Sequence, residues 1–294
     1  MVIISTENYE KIVEFCSKFK GLTIHCERQL HKKFSDIDSQ VLSAILSKEW
    51  QKHIKQRHHI ILKSSRIYLQ EYKAQARLKG DPFILLQIAI RENFSPVSLC
   101  RILLSVEFEG KPKSVTNEMI RNPHQIPDPL LAANVLNCLL NDKSDGPITD
   151  LKRQTIGEDY EIRLKKLASD AGLNFHDEVY LRRKGYDKTP DLKLAVPCMF
   201  RGKIINWIES KASFGDMASH QQYIKDQLLS YGNRFGSGII IYWFGYLDQI
   251  GRCPENKDCI IVTDDFPKKD ELVLINNPFG PLLSSNISNI TNLL

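Results

Sequence analysis

Thr189-Pro190-Asp191 opens, and Trp207-Ile208-Glu209-Ser210-Lys211 closes, the stretch of sequence on which the fold turns. Between them Leu192 to Phe200 is mostly apolar, Arg201-Gly202 is a turn signal, and Lys203 to Ile208 is apolar again, which is the pattern of a β-hairpin. Side chains alternate along a strand, so Glu209 and Lys211 point to one face and Ser210 to the other. Counted from the turn along an ideal ladder, Asp191 lies about three residues farther out than Glu209, roughly 10 Å. Pro197 cannot donate to a ladder and marks the bend or bulge expected to absorb that offset. The hairpin then gathers two carboxylates and an ammonium at one end. Two close carboxylates form a hard oxygen pocket for Mg²⁺, with Mn²⁺ as an alternative, and a neighbouring lysine can orient water or stabilise developing negative charge. Phosphodiester hydrolysis is the chemistry these groups suit.

Pro190-Asp191 followed by Glu209-x-Lys211 resembles the PD-(D/E)XK nuclease signature. The longer block Lys184-Gly-Tyr-Asp-Lys-Thr-Pro-Asp191, with Trp207-Ile-Glu-Ser-Lys-Ala-Ser-Phe-Gly-Asp216, resembles the TPD-motif branch of that Holliday-junction-resolvase-like superfamily, and within it the family of codanin-interacting nucleases. Ser47 to Lys55, Gln125-Ile-Pro-Asp128 and Asn233-Arg-Phe-Gly236 extend the likeness over most of the chain. The resemblance implies an αβββαβ restriction-endonuclease-like core and a Mg²⁺-dependent nuclease. It implies codanin and DNA as partners, a nuclear location with a cytoplasmic pool, and a bearing on chromatin and erythroid differentiation. It also implies metal ligation by the main-chain carbonyl of Ser210. A first-helix acid in a Gly-x-x-x-Glu pattern points to Glu161 over its competitor Glu158, because Glu161 adjoins Ile162 one turn before Lys165. Gln227 stands where such nucleases carry a polar helper. The expected catalytic set is therefore Glu161, Asp191, Glu209, Lys211 and Gln227, with Asp191, Glu209, Glu161 and Ser210 as metal ligands.

Each residue also has a plainer reading. Asp191 fits a turn, Lys211 a strand edge, and Gln227 a helix surface. Glu209 ends an apolar run, where a carboxylate is costly to bury without a cation. Arg182, Arg183, Lys184 and Lys188 precede Asp191 and suit phosphates flanking the cut, although a solvated loop reads the same.

The 294 residues, 42% of them apolar, suffice for more than one core. The net charge of +5 fits a nucleic-acid binder without requiring one. From Lys48 to Lys79, nine Lys and Arg stand against Glu49 and Glu71. Lys52, Lys55 and Arg57 in that stripe are candidate phosphate contacts, and a solvated helix face is the alternative. The seven cysteines follow no paired or metal-binding spacing and read as small buried residues of a reducing compartment. The longest apolar run, Gly238 to Leu247, is too short to span a bilayer, which points to a soluble intracellular protein.

The chain reads as α+β and multidomain, with N-terminal all-α helix-turn-helix-like bundles over 1–60 and 61–146 and an α/β core over 147–294. Apolar residues at three- and four-residue spacing give helices from Tyr9, around Leu30 and from about Ser39, and Ile60 to Tyr72 reads as a basic connecting helix. Phe83 to Arg91 and Val97 to Phe108, joined by Asn93-Phe-Ser-Pro96, have a helix-turn-helix shape, with Ser95 as cap and Arg101 as the basic residue of the second helix. Short helices follow at Val115–Arg121 and 127–141, and Asn141 to Pro147 is the most turn-rich stretch. Beyond it come a helix over 157–171 with Ile162, Leu164 and Leu167 on its apolar side, a helix over 217–231, strands over 238–246 and 258–264, and an Asn- and Ser-rich tail poorly ordered at its end. A scaffold that keeps a nuclease fold to hold a protein partner is the competing function. The sequence leaves open the DNA structure preferred and whether two chains pair as a homodimer.

Overall fold

A computed structural model describes residues 2–256 and 259–274. The fold is α+β, as expected, with helices in the N-terminal half and a mixed sheet in the C-terminal half. Two compact units divide the chain: Thr6–Ile156, and Met1–Ser5 together with the chain from Gly157 onward.

The helical unit holds α1 (Thr6–Lys18), α2 (Thr23–Lys33), α3 (Ser39–Lys63), α4 (Ser65–Lys79), α5 (Ile84–Arg91), α6 (Pro96–Glu107), α7 (Lys113–Arg121), α8 (Pro129–Asn141) and the start of α9 (Pro147–Asp170). Asp38 caps α3 by accepting from the amides of Gln40 and Val41. That helix runs on to Lys63, so the segment expected as a connecting helix over 60–72 is instead interrupted at Ser64 between α3 and α4. Ser95 caps α6 with Pro96 in its first turn, as the sequence indicates. A core of Leu85, Phe94, Leu99, Leu103, Ile120 and Val135 lies among α5 to α8. Asn141 to Pro147 is tied into this unit by Asp142, a buried carboxylate. It accepts from Ser95 Oγ at 2.6 Å, Val97 N at 3.1 Å, and Ser144 N and Oγ at 2.9 and 2.6 Å. With the Asp145 amide at 3.1 Å as a fifth donor, this buried acid is satisfied without a cation.

The second unit begins with β1 (Ile3–Ile4), a strand the helical pattern of the N-terminus hid; it pairs in parallel with β6 (Tyr246–Leu247). The main sheet has the order β2 (Phe175–Asp177), β3 (Leu192–Phe200), β4 (Lys203–Lys211), β5 (Gly238–Tyr242) and β7 (Ile260–Thr263), with β8 (Leu272–Leu274) also on β3. Strands β2 to β4 are antiparallel, whereas β4, β5 and β7 are parallel. After β2 the chain forms the short helix α10 (Glu178–Arg183). The apolar run from Gly238 breaks after Tyr242, where Gly245 at φ 77° turns the chain into β6. The tail from 275 onward falls outside the described residues.

α9 packs Leu164 and Ala168 on one sheet face with Leu192, Ile208, Ile239 and Ile241. Ile162, expected on the apolar side, is 65% exposed because that face of the helix looks to solvent. On the opposite face, the continuous helical segment α11 (Met217–Tyr223), a π-helical turn (Ile224–Leu228) and α12 (Leu229–Phe235) follows the hairpin, and Tyr231 meets Trp207 edge-on at 5.5 Å. Gly238 is obligatory at the start of β5, since a Cβ there would lie 2.1 Å from the Trp207 ring and 2.5 Å from its carbonyl oxygen. The αβββαβ order of α9, β2–β4, α11–α12 and β5 is the one expected.

Candidate active site

The β3–β4 hairpin sets the geometry. Arg201 and Gly202 both have positive φ, 49° and 75°, as a tight hairpin turn requires. From Phe200↔Lys203 to Cys198↔Ile205 the register is constant; beyond a bulge it resumes as Lys193↔Trp207 and Leu192↔Ile208. Leu194 to Pro197 thus face Asn206 alone, and the three-residue offset of Asp191 is taken up in the bulge that Pro197 marks. Asp191 is delivered beside Glu209.

The carboxylates interlock through the backbone. Ser210 N donates to Asp191 Oδ2 at 2.7 Å, and Asp191 N to Glu209 Oε2 at 3.3 Å. Glu209 is 3% exposed. Lys211 Nζ, on the same strand face, donates to Glu209 Oε1 at 2.6 Å and to Gln227 Oε1 at 3.1 Å, and lies 4.9 Å from the centre of the Tyr223 ring. Gln227 sits in the π-helical turn, a distortion of the kind found where a helix must re-aim side chains at a site.

Electrostatics separate the cation from the acids. Burial pushes the Asp191 carboxyl well above its ordinary range, aided by the neighbouring charges of Glu209 and Glu161; the Ser210 amide and Lys211 only partly offset this. Burial likewise raises Glu209, against the lowering pull of Lys211 and the Asp191 amide, with Glu178 adding to the rise. For Lys211, burial works against the ammonium, but Glu209, Asp191 and Tyr223 outweigh it and hold the amine above its ordinary value. Two acids raised by burial and by neighbouring negative charge, facing one ammonium, mark a site short of positive charge. An all-oxygen donor set in that condition fits Mg²⁺ or Mn²⁺, which take one or two carboxylates and complete the shell from water and phosphate. Among the described residues no three His, Cys, Asp or Glu side chains cluster closely enough to hold a metal between them. The fold preassembles an acidic pair.

Glu161 is on the exposed side of α9, and its charge reaches Asp191. The side chain of Ser210 faces away, as alternation requires, and accepts from Trp243 Nε1 at 2.7 Å. Arg182 pairs with Glu178 at 2.8 Å, Lys188 Nζ donates to the carbonyl of Asp226 at 2.6 Å, Lys184 lies 5.6 Å from the Tyr180 ring centre, and Arg183 is exposed. Lys52, Lys55, Arg57 and Arg101 belong to the helical unit. There Lys52 pairs with Glu49 at 3.8 Å, Arg101 with Asp145 at 3.3 Å, Lys55 is exposed, and Arg57 is half-buried with Nε lacking a partner.

Two residues of the site escape sequence reading. Tyr223 stands one helical turn before Gln227, a spacing that signals a shared face once Gln227 is suspected. Glu178 follows Asp177, whose capping of α10 explains an acidic pair without further purpose. Thr189, whose hydroxyl donates to Glu178 Oε1 at 3.3 Å and whose carbonyl accepts from Tyr231 at 2.8 Å, anchors the turn before Asp191.

A family described as a protein of unknown function with the TPD sequence motif matches residues 127–266. The proteins called CDAN1-interacting nuclease 1 are similar over nearly the full length. The Homo sapiens protein is 40% identical over 256 residues, covering 85% of this chain and 91% of the relative. The Xenopus tropicalis protein is 38% identical over 274 residues, 91% and 89% of the two chains. The Gallus gallus protein is 36% identical over 271 residues, 90% and 94%. No solved structure matches. With identity of this order over nine-tenths of each relative, and Asp191, Glu209 and Lys211 brought into one pocket, the chain belongs to the CDAN1-interacting nuclease 1 family.

Proposed function

We propose that this protein is a divalent-metal-dependent DNA nuclease of the PD-(D/E)XK type and a partner of CDAN1. The observation that carries the chemistry is the juxtaposition of Asp191 and Glu209 across the bulged hairpin, with the Lys211 ammonium bonded to Glu209 at 2.6 Å. The partner follows from the names of the relatives.

Asp191 and Glu209, with the main-chain carbonyl of Ser210, would hold Mg²⁺ or Mn²⁺, Glu161 adding its negative charge nearby; the ion supplies charge neutralisation at the phosphate and a more acidic water. Lys211, bonded to Glu209 and Gln227, is placed to serve as an electrostatic stabiliser and hydrogen-bond donor at the reacting phosphate. Gln227 and Glu209 hold two of the ammonium protons, and the ring of Tyr223 restricts its swing. Attack by water on phosphorus forms one P–O bond and breaks another, leaving phosphate on one fragment and hydroxyl on the other.

The test is magnesium-dependent cleavage of end-labelled linear, flapped and four-way-junction DNA by wild type and Asp191→Ala. Cleavage by the wild type that is lost in EDTA and in the variant supports the reading. Equal activity in the two proteins, or none in either, favours a scaffold that binds CDAN1 on a nuclease fold.

A further inference from the structure

The sequence places helix-turn-helix geometry at α5 and α6, but the second of these helices is enclosed. Val97 to Cys100 and Ile102 to Leu104 are buried, and α4, α5, α7 and α8 all pack against α6. From Pro96 to Ser105, Arg101 and Ser105 are what remains open on α6, too little to lay in a nucleic-acid groove. The next helix has an open face. α7 buries Thr116, Met119 and Ile120 and exposes Lys113, Ser114, Asn117 and Arg121, which fall on one side at helical spacing. It follows α6 through the turn Phe108–Pro112, in which Gly110 at φ 89° reverses the chain.

Beside this face opens a cavity of about 550 Å³ lined by Arg101, Asn117, Arg121 and Gln154, with Asp150 as its acid and Ile120, Pro147 and the exposed Leu151 as its apolar members. Arg101 is partly held by Asp145 at 3.3 Å, while Arg121 has no ion pair among the described residues. Glu118, the acid of the helix, accepts from Asn122 Nδ2 at 2.7 Å. Lys111, 4.9 Å from the Phe108 ring centre, and Lys113 supply positive charge at the turn.

We propose that α7 is a DNA-reading helix that enters the major groove of duplex DNA, with Asn117 and Arg121 facing base edges and Lys111 and Lys113 facing phosphate. Asparagine and arginine are the side chains whose paired donors and acceptors match adenine and guanine edges. No large apolar side chain of α7 is exposed, so the helix itself lacks the anchors that a protein groove would take; the exposed Leu151 beside it belongs to α9. A-form RNA offers only a deep, narrow major groove that excludes a helix. The inference concerns binding and stands independently of the proposed hydrolysis.

Fluorescence anisotropy with a labelled duplex of about 20 base pairs in EDTA, where no metal supports cleavage, tests it. Asn117→Ala/Arg121→Gln should bind duplex about tenfold more weakly than wild type with unchanged melting temperature, whereas Lys113→Gln should lower the log–log salt slope by about 1. Lys79→Gln, on the exposed surface of α4, should bind as wild type does. Duplex binding by the double variant equal to wild type, or no duplex binding by wild type at about 50 mM salt, overturns the proposal. So does failure of Asn117→p-benzoylphenylalanine to crosslink bound duplex under ultraviolet light.

Discussion

Lys211→Met isolates the electrostatic core of the site. The methionine roughly fills the lysine's volume but leaves Glu209, 3% exposed, without the ammonium 2.6 Å from Oε1. Removing one partner of a buried ion pair costs about 3–5 kcal/mol when the other stays charged. For a unit of this size that is roughly a 10 °C fall in melting temperature. The cost is capped by protonation, and the sign follows from linkage. Glu209 already lies above its ordinary value through burial, and loss of the lysine's lowering pull raises it further. The folded variant then holds a proton that the unfolded chain releases. That stabilisation is fully present below the unfolded carboxyl value near 4.3 and is lost as pH rises through the folded value. Thermal unfolding followed by circular dichroism should show a deficit relative to wild type that is small near pH 5 and largest near pH 8. Lys211→Met/Glu209→Leu, an apolar replacement of the pair, should recover much of the loss. A deficit independent of pH, or none at pH 8, would refute the reasoning.

Gly238→Ala should unfold the C-terminal unit or lower its melting temperature by more than 10 °C, since the added carbon meets the Trp207 ring and backbone and neither can yield; an unchanged melting curve contradicts this. His220→Leu removes bonds of 2.8 Å to Tyr242 Oη and Asn256 Oδ1, leaving two buried polar groups unpaired at a cost of about 2–5 kcal/mol by denaturant titration. Burial holds His220 below its ordinary 6.5, so the folded chain binds fewer protons than the unfolded one. Wild-type stability should therefore fall below about pH 6.5 with a component the variant lacks. Glu161→Gln should slow cleavage more than tenfold and Glu158→Gln should not; comparable rates in the two would remove Glu161 from the site.

The sheet side of the fold was legible because its signals are local. An apolar–turn–apolar hairpin and a proline that must break a ladder suffice to align Asp191 with Glu209. The helical half was legible in existence and less so in connection: nothing between Ile54 and Ile61 distinguishes one helix continuing to Lys63 from two meeting near 60. Ile162 misled as a companion of Leu164, which lies two residues on and nearly opposite it around the helix; Leu164 and Ala168, one turn apart, mark the buried side. Tyr223 and Glu178 reach the site through tertiary placement, one from a π-distorted helix and the other from a short helix whose cap already explains its acids. Strand β1 was hidden because two isoleucines before a helix carry no pattern of their own and acquire a partner only from β6.

The claim most worth testing is that Asp191 and Glu209 share a divalent cation. Isothermal titration of Mn²⁺ at pH 8, where both carboxyls ionise most readily, should give a binding event in wild type that Asp191→Ala and Glu209→Gln each abolish and Glu158→Gln retains. Equal heats in wild type and Asp191→Ala, or no heat in wild type, would contradict it.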